Sequence, residues 1–255
     1  MMVEPQRDIL LGPLLRTGLM RAWAARDHFL RLSVVPLAVM LAVLIPLRQI
    51  VITALSNRDV GESDATPQIA VLGLVYGAAL AVFAVNWLRQ LTLGTSAAPG
   101  LGLALGARHL RFFFLILATS MSSSILAIIL MVVLSAFGMA GVMAGLIASL
   151  LIWASLLVRL SPSWIGIAID APMPVGVAWR RTAGQGFKLL IALLAVEVPL
   201  MFVQEMIDAI FEVTGLIAVI PMTCTLIAAV VQLMGTAVQL AVMVTAFPYF
   251  LRETV

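Results

Sequence analysis

The sequence predicts an all-α, polytopic membrane protein with six transmembrane helices and three amphipathic helices at the membrane surface. Of its 255 residues, 63% are hydrophobic and 11% are charged, and the mean hydropathy is +1.15. This composition is too apolar for a soluble domain. Six apolar stretches are long enough to cross a hydrocarbon core of ~30 Å, and polar or glycine-rich segments separate them. We interpret residues 1–255 as a single integral membrane domain.

The first apolar stretch is a membrane span rather than a cleavable signal. It runs for more than twenty residues, longer than the hydrophobic region of a signal peptide, and acidic residues and five arginines precede it. Pro36 and Pro46 in the first span and Pro221 in the sixth are predicted to bend or break their helices. The predicted spans are residues 32–55, 69–93, 112–136, 141–160, 188–211 and 219–250.

Three segments before the odd-numbered spans are predicted to lie as amphipathic helices in the headgroup region. The clearest is residues 9–31, where Arg16, Asp27 and Arg31 lie opposite an apolar face. Residues 95–111 and the second half of the loop 161–187 repeat the pattern. The apolar face of the first segment consists of Leu11, Leu14, Leu15, Gly18, Ala22, Ala25 and Phe29.

These segments also suggest an internal repeat of three units, each a surface helix followed by a transmembrane hairpin. Residues 21–39, 104–120 and 177–196 each pass from a basic turn, through an aromatic residue, into a span. The aromatic residues are Phe29, Phe112 and Phe187. Any basic segment that precedes an apolar span would look similar, but the Ala-Trp pairs at 22–23 and 178–179 favour a repeat.

The basic residues predict the orientation. Thirteen of the fifteen lysines and arginines fall on one side of the predicted layout, and Arg48 and Arg58 fall on the other. By the positive-inside rule both termini are cytoplasmic. Basic residues beside apolar spans indicate membrane lipids or other membrane proteins as partners, not nucleic acid. The predicted contacts for anionic lipid or a partner are Arg16, Arg21, Arg26, Arg31, Arg108, Arg111, Arg180, Arg181 and Lys188.

Residues 158–196, VRLSPSWIGIAIDAPMPVGVAWRRTAGQGFKLLIALLAV, carry a family resemblance. They resemble the segment after the fourth span in the membrane domain of some bacterial glycerophosphoryl diester phosphodiesterases, and the related YciC-like six-span inner-membrane proteins. The resemblance implies the six-span layout. It implies no phosphodiesterase activity, because that chemistry belongs to a separate barrel domain with histidines and metal-binding carboxylates. The positions that match are Arg159, Asp170, Trp179, Arg180, Thr182 and Gly184.

Glu197 is the most unusual residue of the predicted spans. It would lie about 14 Å along a helix that enters the membrane at Lys188, near the middle of the hydrocarbon core. A carboxyl group at this depth should be neutral, hydrogen-bonded or in contact with a wet cavity. Three roles remain open: a hydrogen bond between spans 5 and 6, a proton or substrate pathway, and contact with a partner. The predicted intramembrane polar cluster is Glu197, Gln204, Gln232, Thr236 and Gln239.

The remaining motifs predict packing rather than chemistry. The small residues Gly138, Gly141, Gly145 and Ser149 indicate close helix contacts within the chain more than a dimer interface. Cys224 is expected to be a buried apolar residue, and His28 and His109 are expected to lie at the membrane surface. No catalytic set, metal site or cofactor site is predicted.

These observations favour a non-enzymatic membrane-organising or accessory subunit that contacts anionic lipid or a partner protein. The alternative is a small-solute or lipid transporter with a cavity around Glu197. Midplane polar groups and broken helices favour transport, whereas the sequence contains no clear inverted repeat.

Overall fold

The computed structural model describes residues 9–56, 65–94, 106–214 and 220–251. Within these ranges the chain forms eight α-helices and no strand, and six of the helices are long and apolar enough to cross a membrane. The predicted all-α, multi-pass fold is therefore confirmed. The helices are α1 (Leu11–Ala24), α2 (Arg26–Ser56), α3 (Ala65–Leu93), α4 (Ala107–Ser135), α5 (Gly138–Ala168), α6 (Val175–Arg181), α7 (Gly186–Val213) and α8 (Pro221–Leu251).

The membrane-spanning helices are longer than the predicted spans. α2 already begins at Arg26, and α5 continues through Pro162 to Ala168 instead of ending at residue 160. Pro162 cannot donate a backbone hydrogen bond to the carbonyl of Val158. That carbonyl instead accepts a hydrogen bond from Ser161 Oγ at 2.8 Å. Because residues 160–166 are all buried, packing keeps this segment helical and overrides the tendency of proline to end a helix.

The two halves of the bundle differ in charge and in the number of side chains that they bury. The basic half contains α1, α6, the first halves of α2, α4 and α7, and the second halves of α3, α5 and α8. The acidic half contains the remaining half of each long helix, including Glu205, Asp208 and Glu212 of α7. Nearly all buried side chains of the described residues belong to the basic half. Its centre is an aromatic cluster in which Phe29 packs edge-to-face against Phe83 and Trp87.

α1 has the predicted apolar face, and this face packs against other helices of the bundle. Leu14 and Gly18 are buried, and the rest of that face packs against the protein core. A Cβ atom at Gly18 would lie 2.9 Å from Val242 Cα, so α1 directly contacts α8. The apolar face of α1 is therefore buried against protein, and a position of this helix in the headgroup region stays a prediction. Small residues on this face allow another helix to approach closely, so the face can pack against protein as well as against lipid.

The other two predicted surface helices have different outcomes. Residues 95–105 of the second lie outside the described residues, as does the polar loop 57–64, and residues 107–111 form the beginning of α4. The third corresponds to α6, which the turn at Thr182–Gln185 separates from α7. The aromatic residues of the proposed repeat are not equivalent, since Phe112 is 1% exposed and Phe187 is 72% exposed.

The small-residue stripe of α5 packs within the chain, as predicted. Gly138 has a φ of +69° in the turn between α4 and α5. A Cβ atom at Gly145 would lie 2.8 Å from Met131 Sδ, so only a glycine fits against α4 without displacing that methionine. The two helices therefore form a tight hairpin, whose outer surfaces expose Ile129 and Met143.

Candidate functional site

Glu197 and Gln239 meet between α7 and α8. Gln239 Nε2 donates a hydrogen bond to Glu197 Oε2, and both side chains are half-buried. Glu197 lies about 16 Å from the beginning of α7, and Gln239 lies about 18 Å from the end of α8. Both groups are therefore near the middle of the bundle. Of the three roles considered for Glu197, the structure contains the hydrogen bond between the two helices. The same geometry is compatible with a role in transport or in partner binding.

The other members of the predicted polar cluster do not join this pair. Gln204 Nε2 donates to Asp208 Oδ2 at 3.1 Å on its own helix. Thr236 Oγ1 donates to the carbonyl of Gln232 at 2.9 Å, also within one helix. These residues lie between the Glu197–Gln239 pair and the acidic end, so the polar groups form a row rather than a cluster.

A cavity of about 330 Å³ lies at the acidic end of this row. Asp208 and Glu212 of α7 supply its carboxylates, and Cys224 is 3% exposed in its wall. The sequence predicts a buried cysteine, which is confirmed, but it does not predict the cavity. The periodicity of α7 places Asp208 and Glu212 on the same face as Glu197. The sequence does not show that α2 packs beside this face and contributes Leu44 to the cavity. The lining residues are Leu44, Asp208, Phe211, Glu212, Cys224, Thr225 and Ala228.

An ion cluster joins three helices at the basic end. Asp170 Oδ2 accepts hydrogen bonds from Arg89 Nη1 and Arg108 Nη1, each at 2.8 Å. Arg89 Nη1 also donates to the carbonyl of Ala168 at 3.0 Å, at the end of α5. Asp170 has a φ of +61°, a conformation that costs a non-glycine residue about 1 kcal/mol or more. The two arginines offset this cost, so Asp170 joins α3, α4 and α5.

His109 is buried inside the bundle. It is 7% exposed, and its Nδ1 accepts a hydrogen bond from the backbone N–H of Gly106 at 3.1 Å. The neutral ring therefore carries its proton on Nε2, which faces Asn86 Oδ1 at 3.3 Å. Its buried partner Asn86 on α3 was not predicted, and the expected position of His109 at the membrane surface stays a prediction. Among the described residues no group of three or more histidine, cysteine or acidic side chains could hold a metal ion.

The nine basic residues predicted to contact lipid or a partner divide into those that are bonded or partly buried within the bundle and those that are exposed. Arg108 is engaged by Asp170, and Arg181 Nη1 donates to the carbonyl of Phe250 at 3.0 Å, which caps α8. Lys188 is half-buried. The other six have exposed side chains and remain accessible from outside the bundle. These are Arg16, Arg21, Arg26, Arg31, Arg111 and Arg180.

Two exposed tryptophans at the basic end each lie against an arginine. Trp23 is 70% exposed and Trp179 is 42% exposed. The guanidinium of Arg26 lies 5.1 Å from the centre of the Trp23 ring, and that of Arg159 lies 4.5 Å from the centre of the Trp179 ring. Such pairs attract through the negative face of the ring. The basic end therefore combines exposed positive charge with exposed aromatic surface.

No family model, curated protein or solved structure matches this chain.

Proposed function

We propose that this chain is a non-enzymatic protein of the bacterial inner membrane, related to the YciC-like group, that organises the membrane or serves as an accessory subunit. Its basic half faces the cytoplasm and binds the headgroups of anionic lipids. The observation that carries this proposal is the separation of roles among the arginines. Arg89, Arg108 and Arg181 hold helices together, whereas six others on the same end are exposed, among them Arg26 against the ring of Trp23.

The surface chemistry of the basic end supports lipid binding. Tryptophan concentrates at the level of the headgroups, where an apolar ring and a polar N–H are both accommodated. α1 also exposes Leu19 and Met20 beside Trp23, on the side away from α8. Arginines at this level reach lipid phosphates, and each basic residue near an anionic surface contributes about 1 kcal/mol.

The distribution of charge supports the orientation. Every lysine and arginine on a described, exposed surface of the bundle belongs to the basic half, and the exposed acidic residues of α7 lie at the other end. We expect reporter fusions at residue 62 and after residue 212 to be periplasmic. Fusions near residues 100 and 175 should be cytoplasmic. A cytoplasmic signal at residue 62 would contradict the orientation.

Lipid retention tests the proposal directly. The variant combines Arg16→Gln, Arg21→Gln, Arg26→Gln, Arg31→Gln, Arg111→Gln and Arg180→Gln, and it leaves Arg108 and Arg181 intact because they stabilise the bundle. Native mass spectrometry would compare bound phosphatidylglycerol with phosphatidylcholine. We expect the preference for phosphatidylglycerol to fall at least tenfold, about what the loss of 1 to 2 kcal/mol produces.

A matched control changes charge at the opposite end. The Glu205→Gln, Asp208→Asn and Glu212→Gln variant should retain phosphatidylglycerol as the wild type does. An unchanged lipid preference in the six-arginine variant would exclude lipid binding by this surface. Loss of a co-purifying membrane protein from that variant, with lipid unchanged, would instead assign the surface to a partner protein.

The Glu197–Gln239 pair favours transport of a small solute or lipid as a second candidate function. A hydrogen-bonded carboxyl group at mid-depth is a common feature of proton and ion pathways in membranes. If Glu197 carries protons, Glu197→Gln should abolish proton flux in liposomes while the thermal stability stays unchanged. Wild-type vesicles without flux for any candidate solute would exclude this function.

A further inference from the structure

Polar side chains on two facing helices connect the acidic cavity with Glu197. On α7, Gln204 and Asp208 follow Glu197 at seven and eleven residues, which places all three on one face. On α8, Thr225 and Gln232 precede Gln239 at fourteen and seven residues, again on one face. The seven-residue intervals from Glu197 to Gln204 and from Gln239 back to Gln232 match in opposite chain directions, as the antiparallel packing of α7 and α8 requires.

Contacts along the two helices set this register. Gln239 is bonded to Glu197 at mid-depth. One turn further toward the acidic end, a Cβ atom at Gly235 would lie 3.1 Å from Leu200 Cδ1. At the end of the row, Asp208 and Ala228 line the same cavity. Gln204 and Gln232 therefore lie at the same depth, between the cavity and the Glu197–Gln239 pair.

The row follows the cleft between α7 and α8, where its side chains are only partly covered by protein. Gln232 is exposed, although Thr225 on the same face is buried and Gln239 is half-buried. Gln204 and Glu197 are each half-buried, so neither is sealed inside the bundle.

The cleft ends at Glu197. On the basic side of the pair, Leu193 and Val196 of α7 and Leu240 and Met243 of α8 are each at most 8% exposed. At the same level α1 covers α8 through the close contact between Gly18 and Val242. Among the described residues of α7 and α8, no polar side chain on this face continues the row past this apolar plug toward the basic end.

We propose that the cavity and the polar row form an aqueous half-channel that admits water and small cations from the acidic side as far as Glu197. Polar side chains at mid-depth are stable when water reaches them, whereas in hydrocarbon each unpaired group costs several kcal/mol. Asp208 and Glu212 at the mouth concentrate cations over anions. The half-channel concerns the end opposite the lipid-binding surface and does not depend on it.

Cys224 is the only cysteine of the chain and lines the cavity, so the wild-type protein contains a natural probe. Its modification would be measured with 2-aminoethyl methanethiosulfonate, a cation, and with 2-sulfonatoethyl methanethiosulfonate, an anion, added from the acidic side of proteoliposomes. After each rate is divided by that reagent's rate with a small free thiol, we expect the cationic reagent to modify Cys224 about tenfold faster than the anionic one. Asp208→Asn with Glu212→Gln should remove most of this preference. No preference in the wild type would exclude cation selection at the mouth.

Engineered cysteines in a Cys224→Ala protein test the depth of water access. Gln204→Cys and Gln232→Cys lie on the row, and Phe202→Cys and Met234→Cys are exposed two residues away on other helical faces. Thiols ionise and react in water but not in hydrocarbon. We expect the row positions to react with the cationic reagent at least tenfold faster than the other two.

Leu240→Cys, in the plug, should not react. Equal rates at all four engineered positions, or reaction only at Cys224 of the wild type, would overturn the half-channel. Each variant would first be checked by its thermal transition, and Gln239→Cys would serve as a second deep position on the row if the Gln232 variant is unstable.

Discussion

The basic and acidic halves of the bundle are both built from largely apolar sequence, yet most buried side chains lie in the basic half, and close packing in the acidic half is confined to the α4–α5 hairpin. α7 shows the contrast within one helix, since Leu189, Leu193 and Val196 are buried, whereas Phe202 and Met206 beyond Glu197 are 66% and 50% exposed. Lipid is as apolar as leucine, so hydrophobicity does not distinguish a packed helix from a lipid-facing one. Small residues allow close approach in the basic half, including Gly18, Ala168, Ala192, Ala241 and Ala246.

A matched pair of phenylalanines tests this contrast with the largest expected effect. Phe83 is 0% exposed in the aromatic cluster, and Phe202 is 66% exposed in the acidic half. Phe83→Ala leaves a cavity and should lower the free energy of unfolding by about 3 kcal/mol or more. Phe202→Ala should change it by less than about 0.5 kcal/mol, as is usual for exposed sites. Thermal unfolding in detergent measures both, and similar losses would show that the two halves are packed alike.

Two glycines of α1 give opposite expectations for one substitution. Gly12 has open space around it, so Gly12→Ala should be neutral or stabilise the protein by up to about 1 kcal/mol through helix propensity. Gly18→Ala would place a methyl group against the backbone of Val242, and such overpacking costs about 1 to 3 kcal/mol. The measurement is again the unfolding temperature. A stabilising Gly18→Ala would mean that α1 does not rest on α8.

Substitutions at Asp170 separate its ion pairs from its backbone strain. Asp170→Ala removes both ion pairs and keeps a non-glycine residue at positive φ, so we expect a loss of about 1 kcal/mol for this partly exposed group. Asp170→Gly removes the same ion pairs but also the strain, and should be about 1 kcal/mol more stable than the alanine variant. Asp27→Ala is the control, since its contact with Arg26 is long and exposed. Equal stability of the two Asp170 variants would show that the positive φ at residue 170 does not strain the backbone.

Glu197 has the smallest expected effect on stability. Glu197→Gln keeps an oxygen that can accept the hydrogen bond of Gln239, so the thermal transition should barely move. Glu197→Leu leaves that amide without its acceptor, and hydrogen bonds between membrane helices contribute about 1 kcal/mol or less. A large loss in the glutamine variant would mean that the carboxylate charge, not the hydrogen bond, holds the two helices together.

Periodicity and composition predicted the features that depend on local sequence. They include six spans, the apolar face of α1, and a shared depth for Glu197 and Gln239. The contact of the α1 face with α8 was not predicted, because lipid and protein accommodate an apolar helix face equally well. The contacts of Asp170 with Arg89 and Arg108 were not predicted, because they join residues 81 and 62 positions apart. The cavity likewise depends on how α2 packs beside α7 and α8, which no local pattern encodes.

Hydrogen exchange in lipid nanodiscs tests the contrast between the halves most directly. Amides of closely packed helices exchange only through rare opening, whereas weakly packed segments with access to water exchange sooner. Mass spectrometry would compare residues 189–196 with 204–213 of α7, and residues 240–250 with 224–235 of α8. We predict exchange at least tenfold faster in the acidic half of both helices. Equal protection along each helix would contradict a packed basic half joined to an open, water-accessible acidic half.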